Sequence, residues 1–287
     1  MIVHRASVIL APMYTHLQQR DSSRPPVTLT TLARMKADGE KIACLTCYDA
    51  SFAALVDEAG VDLVLVGDSL GMVIQGHDTT VPVTMDDVVY HCRAVARGLR
   101  RPFLVADMPF MSYPSREQAL SNAVRLMQEG GAKMVKLESG AGQVEIVEFL
   151  ASHDIAVCAH LGLKPQSVHK TGGFRVQGRE QDAAERMIRD AKSLEAAGAD
   201  IVLLECVPSA LGKVITSELQ VPVIGIGAGP DTDGQILVLY DVLDITLGRK
   251  PRFVRNFMEG AGSNLQALKN YVHAVRTREY PAPEHCF

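Results

Sequence analysis

The sequence predicts one (β/α)8 barrel, and three observations carry that reading: chain length, a repeated helix–glycine–strand signature, and eight short apolar runs separated by helical stretches. A chain of 287 residues suits this class, whose members commonly take about 250 residues without dividing. The signature occurs at Glu58-Ala59-Gly60-Val61-Asp62-Leu63-Val64, at Glu129-Gly130-Gly131-Ala132-Lys133-Met134-Val135 and at Glu195-Ala196-Ala197-Gly198-Ala199-Asp200-Ile201-Val202. Each reads as a helix end, a glycine in the left-handed conformation that closes it, and a buried strand. The apolar run after each glycine is too short and too continuous for an amphipathic helix. Gly60, Gly131 and Gly198 lie 71 and 67 residues apart, about two βα units per interval if one unit takes roughly 35 residues.

In chain order the candidate strands are Ile42–Thr46, Leu63–Val66, Phe103–Ala106, Met134–Leu137, Ile155–Cys158, Ile201–Leu204, Val223–Ile226 and Ile236–Leu239. The last of these also reads as the start of a helix. Helices are expected at Ala50–Ala59, at Asp86–Arg97 after the N-cap Thr84, at Arg116–Glu129 after Ser115, and at Asp182–Ala197. An open doubly wound sheet shares this alternation, and the strand count and even repeat favour the closed barrel. Residues 1–27 read as a disordered or loosely attached N-terminal extension, poor in acids and without a convincing cleavage region, and residues 28–287 as a single catalytic domain.

Composition excludes several classes. With 47% hydrophobic and 22% charged residues, the chain is neither disordered nor fibrous and can bury a sizeable core. A net charge of -4, spread over mixed acids and bases, offers no basic stripe to nucleic acid or to an anionic membrane. No apolar run approaches the roughly 18 residues of a membrane helix, so a soluble protein with small-molecule partners is expected. Cys44, Cys47, Cys92, Cys158, Cys206 and Cys286 lack the paired spacing of a zinc site and sit mostly in apolar runs, which fits a reducing cytoplasm.

Polar groups follow five consecutive candidate strands: Asp68, Asp107, Glu138, His160 and Glu205. In a parallel barrel the carboxyl ends of all strands open on one face, so these residues are expected to converge there. Any one acid could be a solvated loop carboxylate or a helix cap, but five coinciding at adjacent strand ends outweigh that reading. Asp68, Asp107 and Glu138 offer only hard oxygen donors, which favour Mg2+ or Mn2+ over Zn2+, and a cation would relieve their mutual repulsion. Lys136, two residues before Glu138 and on the same side of the strand, either pairs with an acid or holds a substrate carboxylate. His160 reads as a buried, backbone-satisfied histidine or as a hydrogen-bond donor to substrate. Glu205, framed by Leu203-Leu204 and Cys206-Val207, is the candidate general acid/base, because an apolar frame raises a carboxyl pKa; a structural carboxylate is the competing reading.

Two glycine-rich segments carry less. Gly225-Ile226-Gly227-Ala228-Gly229-Pro230 superficially matches a dinucleotide fingerprint, but the third glycine is missing, and close approach of the loop to the barrel explains the glycines better. The segment Lys170–Arg179 combines glycines with basic groups, as would either a lid over an anionic substrate or a plain surface loop.

Longer motifs bring in a resemblance. VGDSLGM at Val66–Met72, QGHDTT at Gln75–Thr80, ADMPFMSY at Ala106–Tyr113, VKLE at Val135–Glu138, HLGLKPQSV at His160–Val168, VQGR at Val176–Arg179, LECVP at Leu204–Pro208 and PVIGIGAG at Pro222–Gly229 closely resemble the ketopantoate hydroxymethyltransferase family. The resemblance runs from about Leu29 to the C-terminus and shows no departure at the chemical positions. It implies that Asp68, Asp107 and Glu138 line a Mg2+ site and that Ser69 and Lys136, with Asp68 and Asp107, contact the oxo acid. It further implies that His160 hydrogen-bonds substrate or product and that Glu205 accepts the proton. The substrates it implies are 3-methyl-2-oxobutanoate and 5,10-methylenetetrahydrofolate, within pantothenate biosynthesis. The implied setting is a cytoplasmic homo-oligomer, often a decamer. The rival readings are a Mg2+-dependent lyase or mutase of the phosphoenolpyruvate mutase and isocitrate lyase type, whose Lys-Lys-Cys-Gly-His motif this chain lacks, and a non-catalytic metabolite-binding barrel.

Overall fold

Gly60, Gly131 and Gly198 take φ values of 88°, 82° and 97°, the left-handed conformation that lets each helix stop and the chain turn back into a strand. In the computed structural model, which describes residues 25–287, that reversal recurs around a complete ring. The strands are β1 (Ile42–Thr46), β2 (Leu63–Val66), β3 (Phe103–Asp107), β4 (Met134–Glu138), β5 (Val157–Gly162), β6 (Ile201–Glu205), β7 (Val223–Ile226) and β8 (Gly234–Leu237). All neighbours are parallel, and β8 pairs with β1 through Ile42↔Gly234 and Leu45↔Leu237, so the sheet closes. The expected extension up to residue 24 lies outside the described residues. Val27 is already part of the barrel: it is buried, and its N–H donates to Arg101 O at 2.8 Å.

Alternation along the strands divides the core in two. Ala43, Leu45, Val64, Val66, Leu104, Ala106, Val135 and Leu137 face outward and pack under the helices. Ile42, Cys44, Leu63, Leu65, Phe103, Val105, Met134, Cys158, Ile201, Leu203, Ile224 and Ile236 fill the interior. Full burial of each such aliphatic side chain contributes about 1.5–3 kcal/mol. The helix Leu29–Asp38, begun by a reciprocal Thr28/Thr31 capping box, closes the floor by adding Leu32 and Met35 to the interior cluster.

Helix positions match expectation to within a residue or two, with side-chain caps at Thr84 and Ser115. Two strands differ. β5 starts at Val157, because the Ile155 N–H donates to Leu150 O and finishes the preceding helix. It then continues to Gly162, which puts His160 within the ladder opposite Glu138 and Leu203. β8 starts at Gly234, where a Cβ would lie 2.5 Å from Ile42 O. It ends at Leu237, because Leu239 opens a short helix, Leu239–Val242, with its N–H bonded to Thr46 Oγ1.

Candidate active site

The inward parity of the interior residues continues into the polar ends of the strands. After Phe103 and Val105 comes Asp107; after Met134 come Lys136 and Glu138; after Cys158 comes His160; after Ile201 and Leu203 comes Glu205. Register then sets neighbours side by side, with Asp107↔Lys136, Glu138↔His160 and Gly162↔Glu205. Asp68 joins them from the turn after β2. Gly67 lets that turn descend, since a Cβ there would stand 2.9 Å from Ser69 Oγ, and the Asp68 N–H then donates to Asp107 Oδ2 at 3.2 Å. Ser69 Oγ is held 2.9 Å from the buried Tyr48 hydroxyl.

Charge in this space does not balance. Lys136 Nζ donates to Asp107 Oδ1 at 2.7 Å. Burial pulls against the lysine's charge, but Asp107, Asp68 and Glu138 outweigh it and hold the ammonium above its ordinary pKa. One cation cannot serve every acid. Burial, with Asp68 adding to it against the pull of Lys136, pushes Asp107 up to about 7. Burial likewise raises Glu138 to about 8, with the Gln166 N–H and Lys136 opposing. The donor chemistry is therefore a surplus of hard carboxylate oxygens, which suits a hard divalent cation. The three acids do not form a cage: among the described residues, no three His, Cys, Asp or Glu side chains are gathered closely enough to ligate a metal together. Asp68 and Asp107 are the adjacent pair, and Gln166 stands between Asp68 and Glu138.

His160 is buried and neutral, its pKa driven well down by burial and by Lys136. Its Nδ1 lies 3.5 Å from Lys136 Nζ. An ammonium can only donate, so Nδ1 is the acceptor and the proton rests on Nε2. That Nε2 lies 3.2 Å from Glu205 Oε2 but off the line of a hydrogen bond, and it is left without a partner. Glu205 keeps 17% of its side chain exposed, and burial of the rest pushes its carboxyl up to about 8. The backbone beside it is unusual. Cys206 has φ 49°, its N–H donates to Ile226 O, and its carbonyl accepts from Gln177 N–H. This turn aims Glu205 and ties the 170–179 segment to it.

The glycine-rich loop after β7 serves packing. A Cβ on Gly227 would stand 2.8 Å from Phe253, and one on Gly229 would stand 2.6 Å from Ser209. The cysteines remain thiols, buried except for the half-buried Cys286. No helix among the described residues is long and apolar enough to cross a membrane.

Sequence reasoning missed Gln166. It is 5% exposed in the turn Pro165–Ser167 after β5, and its amide nitrogen donates to Asp68 Oδ2 at 2.9 Å and to Met108 O at 3.0 Å. Its amide oxygen accepts from Tyr113 OH at 2.7 Å, and its backbone N–H donates to Glu138 Oε1 at 2.8 Å. The only signal was its place in the HLGLKPQSV motif; contacts to residues nearly a hundred positions away leave no local pattern.

Comparison with known proteins places the chain in a family. The family model for ketopantoate hydroxymethyltransferase matches residues 26–283. The chain is 60% identical over 265 residues to the 3-methyl-2-oxobutanoate hydroxymethyltransferase of Alkalilimnicola ehrlichii, covering 92% of this chain and 96% of that one. It is 58% identical over 269 residues to the enzyme of the same name from Halorhodospira halophila, with 94% and 98% covered. Among solved structures, oxaloacetate acetylhydrolase bound to 3,3-difluorooxalacetate superposes with a TM-score of 0.58 at 15% identity, over 77% of this chain and 83% of that one. Phosphonopyruvate hydrolase with oxalate and Mg2+ gives 0.56 at 15%, over 74% and 80%. These structural neighbours share the barrel. With a family model spanning nearly all of the described chain and relatives close to 60% identical over its length, the chain belongs to the ketopantoate hydroxymethyltransferase family and is an enzyme.

Proposed function

We propose that the chain is a 3-methyl-2-oxobutanoate hydroxymethyltransferase: it removes a proton from C3 of this oxo acid and joins that carbon to the one-carbon unit of 5,10-methylenetetrahydrofolate, giving 2-dehydropantoate. The observation that carries the reading is the meeting, at one end of the barrel, of a carboxylate surplus, a buried lysine, an unpartnered imidazole N–H and a partly exposed carboxyl of raised pKa.

Asp68 and Asp107 are the residues that would hold Mg2+, with Glu138 beside them, since this ion takes one or two carboxylates and fills its other positions with water and substrate. Bound there, it would supply Lewis acidity toward the ketone oxygen of the oxo acid. Lys136 binds the anionic substrate with the charge left over from its contact to Asp107, and Ser69, oriented by Tyr48, donates to it from the neighbouring turn. His160 offers Nε2–H to an oxygen of substrate or product; as a neutral donor it stabilises developing negative charge without losing its proton. Glu205 takes the C3 proton in its carboxylate form. The electron pair left on C3 forms the new C–C bond to the methylene carbon, water supplies the hydroxyl oxygen as both C–N bonds of the folate bridge break, and the two nitrogens take up the C3 proton, returned by Glu205, and the proton left over from water. The folate thus carries the activated carbon, while the protein supplies position and a proton relay.

Kinship with the family also supports a place in pantothenate biosynthesis, a cytoplasmic location and a homo-oligomer, with a decamer as the assembly to test by sedimentation. The deciding experiment incubates the protein with both substrates and Mg2+ and looks for 2-dehydropantoate, alongside deuterium uptake at C3 of the oxo acid alone. Formation of product with metal-dependent exchange supports the assignment; neither product nor exchange overturns it.

A further inference from the structure

The polar groups of Gln166 are all engaged, and each points at a different part of the acid cluster. The NH2 group meets two atoms that can only accept when Asp68 is ionised, Asp68 Oδ2 and Met108 O. That fixes the amide orientation and leaves its oxygen for the Tyr113 hydroxyl, which must then donate. The backbone N–H of the same residue takes Glu138 Oε1. One residue therefore links the turn after β2, the segment after β3 and the end of β4, and it does so from the turn after β5, in a buried position.

We propose that Gln166 is a positioning residue that orients Asp68 and Glu138 for cation and oxo-acid binding, with Tyr113 acting through it. The inference rests on the reading of Asp68 and Asp107 as the cation-holding pair. No other side chain of this size meets the same demands. Glutamate would set a carboxylate against Asp68, and methionine would fill the volume but leave Asp68 Oδ2, Met108 O and the Tyr113 hydroxyl without partners. Asp68 and Glu138 are each held from behind by one fixed donor of Gln166, which turns their remaining lone pairs in one direction, as outer partners of metal ligands do.

The test compares Gln166→Met, Gln166→Glu and Tyr113→Phe with the unaltered full-length protein. Calorimetric titration with Mg2+ alone is one readout, and C3 deuterium exchange of 3-methyl-2-oxobutanoate is the other. Expected is a loss of about 10- to 100-fold in Mg2+ affinity for both Gln166 variants, the usual cost of removing an outer partner, with melting temperatures close to the parent's. A smaller loss is expected for Tyr113→Phe, and none when it is added to Gln166→Met, because the hydroxyl works through the amide. A packing role predicts the opposite: Gln166→Met, which keeps the volume, would retain parental Mg2+ affinity, and that result overturns the proposal. If Gln166→Met does not fold, Tyr113→Phe decides, since it removes one hydroxyl; parental affinity in that variant also overturns it. Failure of the parent to exchange C3 would strike the proposed function alone, because Mg2+ affinity is read without substrate.

Discussion

Lys136 Nζ sits 2.7 Å from Asp107 Oδ1 inside the barrel, where neither side chain reaches bulk solvent. The lysine is the cation against which the neighbouring acids are balanced, so its removal has consequences of known sign. Asp107 and Glu138 already have folded-state pKa values of about 7 and 8, raised first by burial. A raised carboxyl means that the native state binds more protons than the unfolded chain. Its stabilising contribution is complete below the ordinary carboxylate range and is lost as pH climbs to the folded value. In Lys136→Met both acids rise further, so the loss continues to higher pH. Melting temperatures at pH 6 and pH 9 check this: the gap between variant and parent should widen at pH 9, and an equal gap at both would contradict the electrostatic role.

Glu205 is predicted to set the alkaline side of activity. Its carboxyl is raised to about 8 by burial, with Lys136 opposing and Asp68 adding, and only the carboxylate can accept the C3 proton. The rate of C3 exchange should rise with pH up to about 8 and level off above it. Glu205→Gln should reduce exchange by about 100- to 10,000-fold, the usual range for a general base, and flatten the profile. A steep rise through pH 8 that persists in Glu205→Gln would assign the proton transfer to another group.

How much of this was legible beforehand follows from the range of each interaction. Asp107 and Glu138 could be read from the sequence because each follows a short apolar run, and Lys136 because a strand alternates faces with period two and sets it on the side of Glu138. Gly60, Gly131 and Gly198 were legible because left-handed closure is a local demand. The start of β5 was not, since β-branched Ile155 suits a strand but is claimed by a bond to Leu150 O. Gly234 likewise reads as a poor strand former until its close approach to Ile42 is known. The spread of the acids around Gln166, which leaves them short of a three-carboxylate cage, depends on a contact between residues 68 and 166 that no local pattern encodes.

Gly162 should prove essential to the placement of Glu205. It has φ 92°, and a Cβ there would lie 2.2 Å from Glu205 O and 3.0 Å from Val207 Cγ1. Gly162→Ala must therefore push β6 away at Glu205, the residue proposed to carry the proton. A displacement of the order of 1 Å can cost about 100-fold in rate. The expected result is a fall of that order in kcat for exchange with little change in Mg2+ affinity, because Asp68, in the turn after β2, and Asp107, on β3, lie away from β5 and β6. Parental exchange rates in Gly162→Ala would mean that β6 yields without moving the carboxylate.

At the opposite end of the barrel, Asp62 separates stability from chemistry. It is fully buried just before β2, accepting from Arg101 Nη2 at 2.8 Å, from Arg276 Nη2 at 3.2 Å and from the Ala43 N–H at 3.1 Å. The carboxylate thus joins the start of β1, the Arg101 turn below β3 and the C-terminal helix Asn264–Arg276. Asp62→Ala removes one partner of a buried ionic cluster and leaves two guanidinium groups competing for backbone oxygens. The cost of breaking such a pair is about 3–5 kcal/mol, moderated here because Arg276 remains about half exposed and can turn to water. Equilibrium denaturation should show a loss near the lower end of that range, while the folded fraction should exchange C3 at the parental rate, since Asp62 precedes β2 and lies at the end of the barrel away from the candidate site. A loss below about 1 kcal/mol would show that the arginines are satisfied by solvent and that the cluster is incidental. A change in exchange rate without a change in stability would mean that the floor and the mouth of the barrel are coupled through the strands.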